Sequence, residues 1–249
     1  MLELRELCVP RGGREVVRGV TLAIAAGEVT ALLGPNGAGK SSLVLAIAGA
    51  IKPSGGAVLL DGTEITAWRP ERIRRTGVAV VPEGRRLLGE LTVEENLRVA
   101  TYALTREQAA AGRTRALELF PELQRLLPAQ ARALSGGEQQ MLVLAQALVS
   151  APRFICIDEL SLGLAPVIVQ RLIPVIREVA DSGTGVLLIE QFATIALGLA
   201  NRAYVMEGGR LRYAGTAAEL REHPKMLQSA YLLQGRTDAQ QIPVAPAPE

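Results

Sequence analysis

Residues 34–41 read Gly-Pro-Asn-Gly-Ala-Gly-Lys-Ser and match the pattern G-x-x-x-x-G-K-[ST]. The apolar run Val29 to Leu33 precedes them and the apolar run Leu43 to Ala48 follows, which predicts a strand, a tight loop and a helix in that order. Glycines allow successive backbone N–H groups of such a loop to point at phosphate oxygens, and the helix adds its positive end. The sequence therefore predicts an α/β fold built around a phosphate-binding loop. The alternative is a glycine-rich turn that binds nothing.

The loop supplies the first candidate site residues. Lys40 is placed to reach the β and γ phosphates of a nucleotide, and the Ser41 hydroxyl is placed to coordinate Mg²⁺. The candidate nucleotide contacts are Gly34, Pro35, Asn36, Gly37, Ala38, Gly39, Lys40, Ser41 and Ser42.

Composition excludes several other kinds of protein. The 249 residues are 49% hydrophobic, which is enough for a full globular core. One histidine, His223, excludes a Ser-His-Asp triad in the body of the chain, and two cysteines are too few for a cysteine zinc site. A net charge of +2 and 3% aromatic residues argue against nucleic acid as a partner. We interpret the arginines clustered in 69–75 and 85–86 as a solvated face, with a partner-docking surface as the alternative.

The apolar stretches are too short to span a membrane, and Glu3 and Glu6 interrupt any secretory signal, so we expect a cytoplasmic chain. Continuous apolar runs at Val78 to Val81, Phe154 to Ile157 and Val186 to Ile189 predict strands of a buried parallel sheet.

Alternating runs before Gly27 and from Ala57 to Ile65 predict a small antiparallel sheet, and Thr92 to Leu127 predicts a helical insertion. We place a single domain at residues 1–235, with a helical subdomain at about 84–150 and a flexible tail at 236–249.

A second motif, Ser135-Gly136-Gly137-Glu138, stands just before the helical run Met141 to Leu148. A hydroxyl and free backbone amides at a helix N-terminus form an anion site. The alternative is an ordinary helix cap, in which Ser135 is the N-cap and Glu138 completes a capping box.

A third motif places Asp158 and Glu159 directly after the apolar run Phe154 to Ile157. Because side chains alternate along a strand, we expect the two carboxylates to diverge, one toward a metal-bound water and the other toward an attacking water. Plain solvation of a strand end is the alternative.

In this order, the three motifs resemble those of the ATP-binding subunits of ABC transporters, and the resemblance runs to about Gly235. It implies a P-loop NTPase of the ABC type, with a parallel core sheet, a small antiparallel β subdomain and a helical subdomain. It also implies ATP and Mg²⁺ as ligands. Two subunits would pair head to tail, so that Ser135, Gly136 and Gly137 of one cap the γ-phosphate held by Lys40 of the other.

The resemblance also assigns roles. Asp158 and Ser41 would hold the metal, and Glu159 would act on the attacking water, with Lys40 on the phosphates. The chain departs from the family pattern at four positions. Glu83 replaces the usual glutamine metal contact, Gln191 replaces a histidine near the γ-phosphate, Arg11 replaces an aromatic ring on adenine, and Leu160 replaces a proline.

Four short segments resemble the branch of this family that energises uptake of branched-chain amino acids, in particular the second of the two ATPases in that importer. They are residues 81–86, 92–97, 161–166 and Glu190-Gln191. The implied partners are a second ATPase in a hetero- or homodimer, two permeases at the cytoplasmic face of the cell membrane, and an extracytoplasmic substrate-binding protein. Alternatives are an ATPase for urea or amide uptake, a soluble ABC-type ATPase outside transport, and an ATP-sensing subunit that does not hydrolyse.

Overall fold

The computed structural model describes residues 1–223, so the predicted tail at 236–249 and the predicted domain end at residue 235 lie outside the described residues. The strands are β1 (Leu2–Arg11), β2 (Arg14–Ile24), β3 (Val29–Leu33), β4 (Gly55–Leu60), β5 (Thr63–Glu64), β6 (Val78–Val81), β7 (Phe154–Asp158), β8 (Gly185–Glu190), β9 (Arg202–Glu207) and β10 (Arg210–Thr216). The helices are α1 (Lys40–Ile47), α2 (Pro70–Arg75), α3 (Val93–Val99), α4 (Arg106–Leu119), α5 (Gly136–Leu148), α6 (Pro166–Asp181), α7 (Ala193–Leu199) and α8 (Ala217–Glu222). Short 3-10 segments cover Pro121–Leu126 and Ala131–Ala133.

The strands form two sheets, as the sequence predicted. The larger sheet has six strands in the order β10-β9-β3-β8-β7-β6, in which only the edge strand β10 runs antiparallel to its neighbour. The smaller sheet has the order β2-β1-β4-β5 and is antiparallel. The predictions of a buried parallel sheet, a flanking antiparallel sheet and a helical insertion after residue 92 are confirmed.

The parallel sheet separates two apolar cores. Along β3, Ala31 faces one core and Leu32 the other, because side chains alternate along a strand. The first core contains residues of α3 to α8, and the second contains residues of α1, α2 and the antiparallel sheet. Because both faces are covered, all residues of β3, β7 and β8 are buried.

The parallel strands bring distant segments of the chain to one edge. Leu33 pairs with Glu190, Asp158 with Ile189, and Val81 with Ile157. The carboxyl ends of β3, β8, β7 and β6 are therefore neighbours, and ligands of open α/β sheets bind at such an edge.

No helix within residues 1–223 is long and apolar enough to cross a membrane.

Candidate nucleotide site

The phosphate loop is held by two glycines that lie close to other backbone segments. A Cβ on Gly34 would lie 2.1 Å from the Met206 carbonyl oxygen, and a Cβ on Gly39 would lie 2.3 Å from the Val16 carbonyl oxygen. Gly39 is also the N-cap of α1, with φ of 105°, and it has no side chain to satisfy the N–H groups of the first turn. The first turn of α1 therefore offers its N–H groups to an anion, in the manner of helix N-termini that bind phosphate.

Lys40 is buried, with 5% of its surface exposed. Its Nζ donates hydrogen bonds to the carbonyl oxygens of Gly34 at 2.7 Å and Pro35 at 3.1 Å, which wraps the loop around the ammonium group. Burial lowers the pKa of Lys40, while the charges of Glu159, Asp158, Glu190 and Glu83 oppose that shift. These four acidic residues, at or just after the ends of three neighbouring strands, are therefore close enough for their charges to act on the lysine.

A pocket of about 360 Å³ opens over the loop. It is lined by Arg11, Val16, Asn36, Gly37, Ala38, Gly39, Lys40, Ser41, Ser42, Glu83, Glu159 and Leu162. Ten of the predicted site residues are thus brought together. The sequence did not single out Val16, and it singled out Leu162 only within a string that resembles the family. Eight others are not among the residues that line this pocket: Gly34, Pro35, Ser135, Gly136, Gly137, Glu138, Asp158 and Gln191.

Asp158 is 4% exposed and lies next to Ser41. Burial raises the pKa of Asp158, a hydrogen bond with Ser41 lowers it, and the charge of Glu83 raises it further. Its Oδ1 atom is buried and makes no hydrogen bond with any residue that the structure describes. A buried carboxylate oxygen without a partner is costly unless a cation or donor meets it.

These atoms fit a magnesium ion. Among residues 1–223, no group of three or more His, Cys, Asp or Glu side chains could hold a metal by itself. Mg²⁺ is usually bound by one or two carboxylates together with phosphate oxygens and waters, and Asp158 with the Ser41 hydroxyl meets that requirement.

Glu159 leaves the sheet in the left-handed region, with φ of 57°. The strand alternation used to predict that the two carboxylates diverge does not extend to Glu159, because β7 ends at Asp158 and the backbone of Glu159 is left-handed. The Glu159 N–H donates to the carbonyl oxygen of Ile189 at 2.9 Å, which fixes the turn to β8. Burial raises the pKa of Glu159, and the charges of Glu83 and Asp158 raise it further.

Glu190, at the end of β8, holds the next part of this turn. Its carboxylate accepts hydrogen bonds from the Ser161 N–H at 3.0 Å and from the Ser161 hydroxyl at 2.8 Å. It is 1% exposed, and burial raises its pKa although the two bonds from Ser161 oppose the shift. The sequence singled out Glu190 only through a family resemblance, yet an acidic residue at the end of an otherwise apolar strand also indicates a buried partner.

Residues 135–138 form the helix cap that the sequence offered as one alternative. The Glu138 carboxylate accepts hydrogen bonds from the Ser135 N–H at 2.9 Å and hydroxyl at 2.8 Å, and the Glu138 N–H donates to Ser135 Oγ at 3.4 Å. The two bonds that the carboxylate accepts lower the pKa of Glu138, and the bond from the Ser135 hydroxyl has the larger effect. The cap is compatible with the anion site, because Gly136 and Gly137 carry the first N–H groups of α5.

The structure also places the four positions at which the chain departs from the family pattern. Arg11, at the end of β1, donates from Nη1 to Ser42 Oγ at 3.4 Å. Glu83 follows β6 and Gln191 follows β8, so both residues lie just after the carboxyl edge of the sheet. Leu160 is fully buried in the first core.

The interpretation of the arginine cluster as a solvated face is wrong for Arg74 and Arg85, whereas Arg72 is exposed and also contacts a ring. The Arg72 guanidinium lies 3.5 Å from the ring centroid of Trp68. Arg74 donates to the carbonyl oxygens of Ala100 and Gln146, and burial lowers its pKa. Arg85 is half-buried and donates three hydrogen bonds within the chain.

Three features define a nucleotide-hydrolysing domain of the phosphate-loop class. They are a parallel sheet, a glycine loop that encloses a buried lysine, and two adjacent acidic residues at the end of a nearby strand. The sequence model of the family described as ABC transporter matches residues 17–161. The chain therefore belongs to the ABC transporter family and is an ATPase of the ABC type.

Known relatives agree with this assignment. The chain is 39% identical over 232 residues to the high-affinity branched-chain amino acid transport ATP-binding protein BraG of Pseudomonas aeruginosa, covering 93% of this chain and 99% of that protein. It is 38% identical over 199 residues to the probable branched-chain amino acid transport ATP-binding protein LivF of Archaeoglobus fulgidus, covering 80% and 84%. It is 32% identical over 221 residues to the lipopolysaccharide export system ATP-binding protein LptB of Escherichia coli K12, covering 88% and 92%.

Among solved structures, the chain is similar to the ADP conformation of MJ1267, an ATP-binding cassette of an ABC transporter. The TM-score is 0.82 at 26% identity, and the match covers 94% of this chain and 99% of MJ1267. The ABC-type fold that the resemblance implied is confirmed.

Proposed function

We propose that this chain is the ATP-hydrolysing subunit of a membrane importer for branched-chain or related hydrophobic amino acids. The hydrolytic part is carried by one observation: the phosphate loop, Asp158 and Glu159 meet at the carboxyl edge of the parallel sheet. The transported class is supported by the two relatives named for branched-chain amino acid transport, at 39% and 38% identity.

The residues divide the chemistry among them. Lys40 and the N–H groups of the loop bind the phosphates of ATP, while Ser41 and Asp158 hold Mg²⁺, with Glu83 as a further ligand. When bound, Mg²⁺ neutralises charge on the β and γ phosphates. Glu159 orients the attacking water and accepts its proton, and its raised pKa makes it a better base than an exposed glutamate.

Two further residues complete the nucleotide contacts. Gln191 follows β8 and donates a hydrogen bond to the γ-phosphate, where a histidine is usual in the family. Arg11 lines the pocket and stacks its guanidinium plane on adenine, for which a planar delocalised cation is suited.

The cap at residues 135–138 needs a second subunit to reach ATP. Because these residues do not line the pocket of their own chain, we propose that two subunits close head to tail, so that the N-terminus of α5 in one meets the γ-phosphate in the other. The second subunit is an identical or similar ATPase. The pair drives two permeases from the cytoplasmic face of the membrane, with a binding protein outside.

Substitution of Glu159 by glutamine tests the hydrolytic role. Glu159→Gln keeps the shape but removes the base, so we expect ATP binding to persist, turnover to fall at least a hundredfold, and a dimer to accumulate with Mg-ATP. Turnover is measured by phosphate release and dimerisation by size-exclusion chromatography with light scattering. Glu178→Gln, an exposed change on α6, is the matched control. Unchanged hydrolysis in Glu159→Gln would exclude Glu159 as the base.

The transport role is tested on the complex. Tagged protein is purified from detergent-solubilised native membranes, and the co-purifying permeases are reconstituted in proteoliposomes with their binding protein. We expect ATP-driven uptake of labelled leucine that valine and isoleucine inhibit. Inhibition by urea or short amides alone would favour the amide importer, and recovery of soluble partners alone would favour an ABC-type ATPase outside transport.

A further inference from the structure

The Arg85 side chain joins two segments that lie far apart in the sequence. Its Nε donates to Gln140 Oε1 in α5 at 3.3 Å. Its Nη2 donates to the carbonyl oxygens of Leu162 at 3.0 Å and Gly163 at 3.3 Å. A rigid guanidinium fork suits this task, because its donors point in fixed directions toward both partners.

The backbone is shaped to place this guanidinium. Gly84 and Arg85 both have positive φ, 87° and 45°, which turns the chain back toward α5 directly after Glu83. A Cβ on Gly136 would lie 2.8 Å from Arg85 Nη1, and a Cβ on Gly163 would lie 3.6 Å from Nη2. Glycine at position 136 therefore leaves room for the guanidinium beside the first turn of α5.

The segments that Arg85 joins are parts of the candidate site. Leu162 lines the nucleotide pocket and follows Glu159 by three residues. Gln140 lies in the second turn of α5, just after the cap at residues 135–138. Glu83, which also lines the pocket, lies two residues before Arg85.

The Leu164 N–H donates to the carbonyl oxygen of Ser161 at 3.2 Å, which closes a turn at residues 161–164. We infer that Arg85 is a positioning residue, which holds this turn against the N-terminus of α5 so that both are presented together to the second subunit. This inference rests on the proposed head-to-tail dimer. The three hydrogen bonds order the two segments before subunits meet, which reduces the entropy that association would otherwise cost.

Two variants and one control test this inference in the full chain. Arg85→Lys keeps the charge but replaces the fork by a single ammonium group, and Arg85→Met keeps much of the apolar stem and removes the donors. Arg86→Met changes the adjacent exposed arginine, which makes none of these three bonds. ATP affinity is measured with a fluorescent ATP analogue, and dimerisation with Mg-ATP is measured in a Glu159→Gln background.

We expect both Arg85 variants to bind the analogue as the parent does and to dimerise about tenfold more weakly. A hydrogen bond from a charged donor changes an equilibrium constant by about tenfold or more. With Glu159 intact, their kcat falls with little change in KM, and amide hydrogen exchange in residues 160–166 becomes about tenfold faster. Dimerisation and exchange equal to those of Arg86→Met would overturn the inference. Parent-like dimerisation and exchange in Arg85→Lys would show that the positive charge is sufficient and that the guanidinium fork is not required. If the Glu159→Gln parent stays monomeric with Mg-ATP, the proposed dimer fails, and the exchange measurement alone still decides the role of Arg85.

Discussion

Replacement of Glu190 offers a sharp test of how the hydrolytic turn is held in place. Glu190 is 1% exposed and accepts two hydrogen bonds from Ser161, while the neighbouring Ile189 carbonyl accepts one from Glu159. These three bonds fix residues 159–161, including the left-handed Glu159. We therefore expect Glu190 to control both the stability of the turn and the position of the Glu159 carboxylate.

The expected magnitudes follow from the bonds that each variant keeps. In Glu190→Gln, the amide oxygen can accept the Ser161 N–H and the amide nitrogen can donate to Ser161 Oγ, so the free energy of unfolding should fall by only about 1 kcal/mol. Glu190→Leu has similar size but no acceptor and leaves the Ser161 N–H unsatisfied. We expect it to lower the free energy of unfolding by about 2–3 kcal/mol, because relief from burying a carboxylate offsets part of the two lost bonds.

Activity should separate the same variants. Since a misplacement of about 1 Å can cost about a hundredfold in rate, we expect Glu190→Leu to lower kcat at least tenfold, with unchanged ATP affinity. Glu190→Gln should retain most of kcat, and Ser161→Ala, which removes only the hydroxyl bond, should fall between them.

The assays are urea denaturation followed by circular dichroism, and phosphate release at saturating Mg-ATP. Parent-like stability and kcat in Glu190→Leu would refute the argument. If Glu190→Gln lost as much activity as Glu190→Leu, the charge and not the hydrogen bonds would be the important property.

Three other changes test separate parts of the site. Glu83→Gln removes a negative charge that raises the pKa of Glu159, so Glu159 should stay ionised to lower pH. The acid limb of the ATPase pH profile should therefore shift to lower pH, and an unchanged limb would show that Glu83 and Glu159 are not coupled. Gly39→Ala adds a Cβ 2.3 Å from the Val16 carbonyl oxygen at φ of 105°, so ATP binding measured by calorimetry should be lost, and retained affinity would contradict the close approach. Gln191→Ala should lower kcat by about tenfold to a thousandfold if Gln191 donates to the γ-phosphate, and a parent-like rate of phosphate release would remove it from that role.

Much of the fold could be predicted because its signals are local. The buried strands appear as short apolar runs, and the phosphate loop is one continuous octet between a strand and a helix. The cap at Ser135 and Glu138 also depends on residues only three positions apart, so the sequence offered it before the structure showed it.

The contacts that the sequence missed join residues far apart in the chain. Ser161 and Glu190 are 29 positions apart, and Arg85 is 55 positions from Gln140. Sequence patterning assigned Arg85 to a solvated face because an arginine is usually exposed. The turn at Glu159 was missed for a related reason, since its left-handed backbone is held by bonds to β8 and not by its own sequence neighbours.

The sequence by itself determined the chemistry and its order along the chain: the loop with Lys40 and Ser41, the capped helix, the acidic strand end, and the membership of an ATPase family. Tertiary structure alone decided which of these groups meet. Parallel pairing of β3, β8, β7 and β6 brings their carboxyl ends to one edge. Only that arrangement places Asp158 and Glu159 near Lys40, with Lys40 and Glu159 in one pocket and the cap of α5 outside it. The physical reason is that motif chemistry depends on residue type and short spacing, whereas strand order depends on how two apolar cores cover both faces of the sheet.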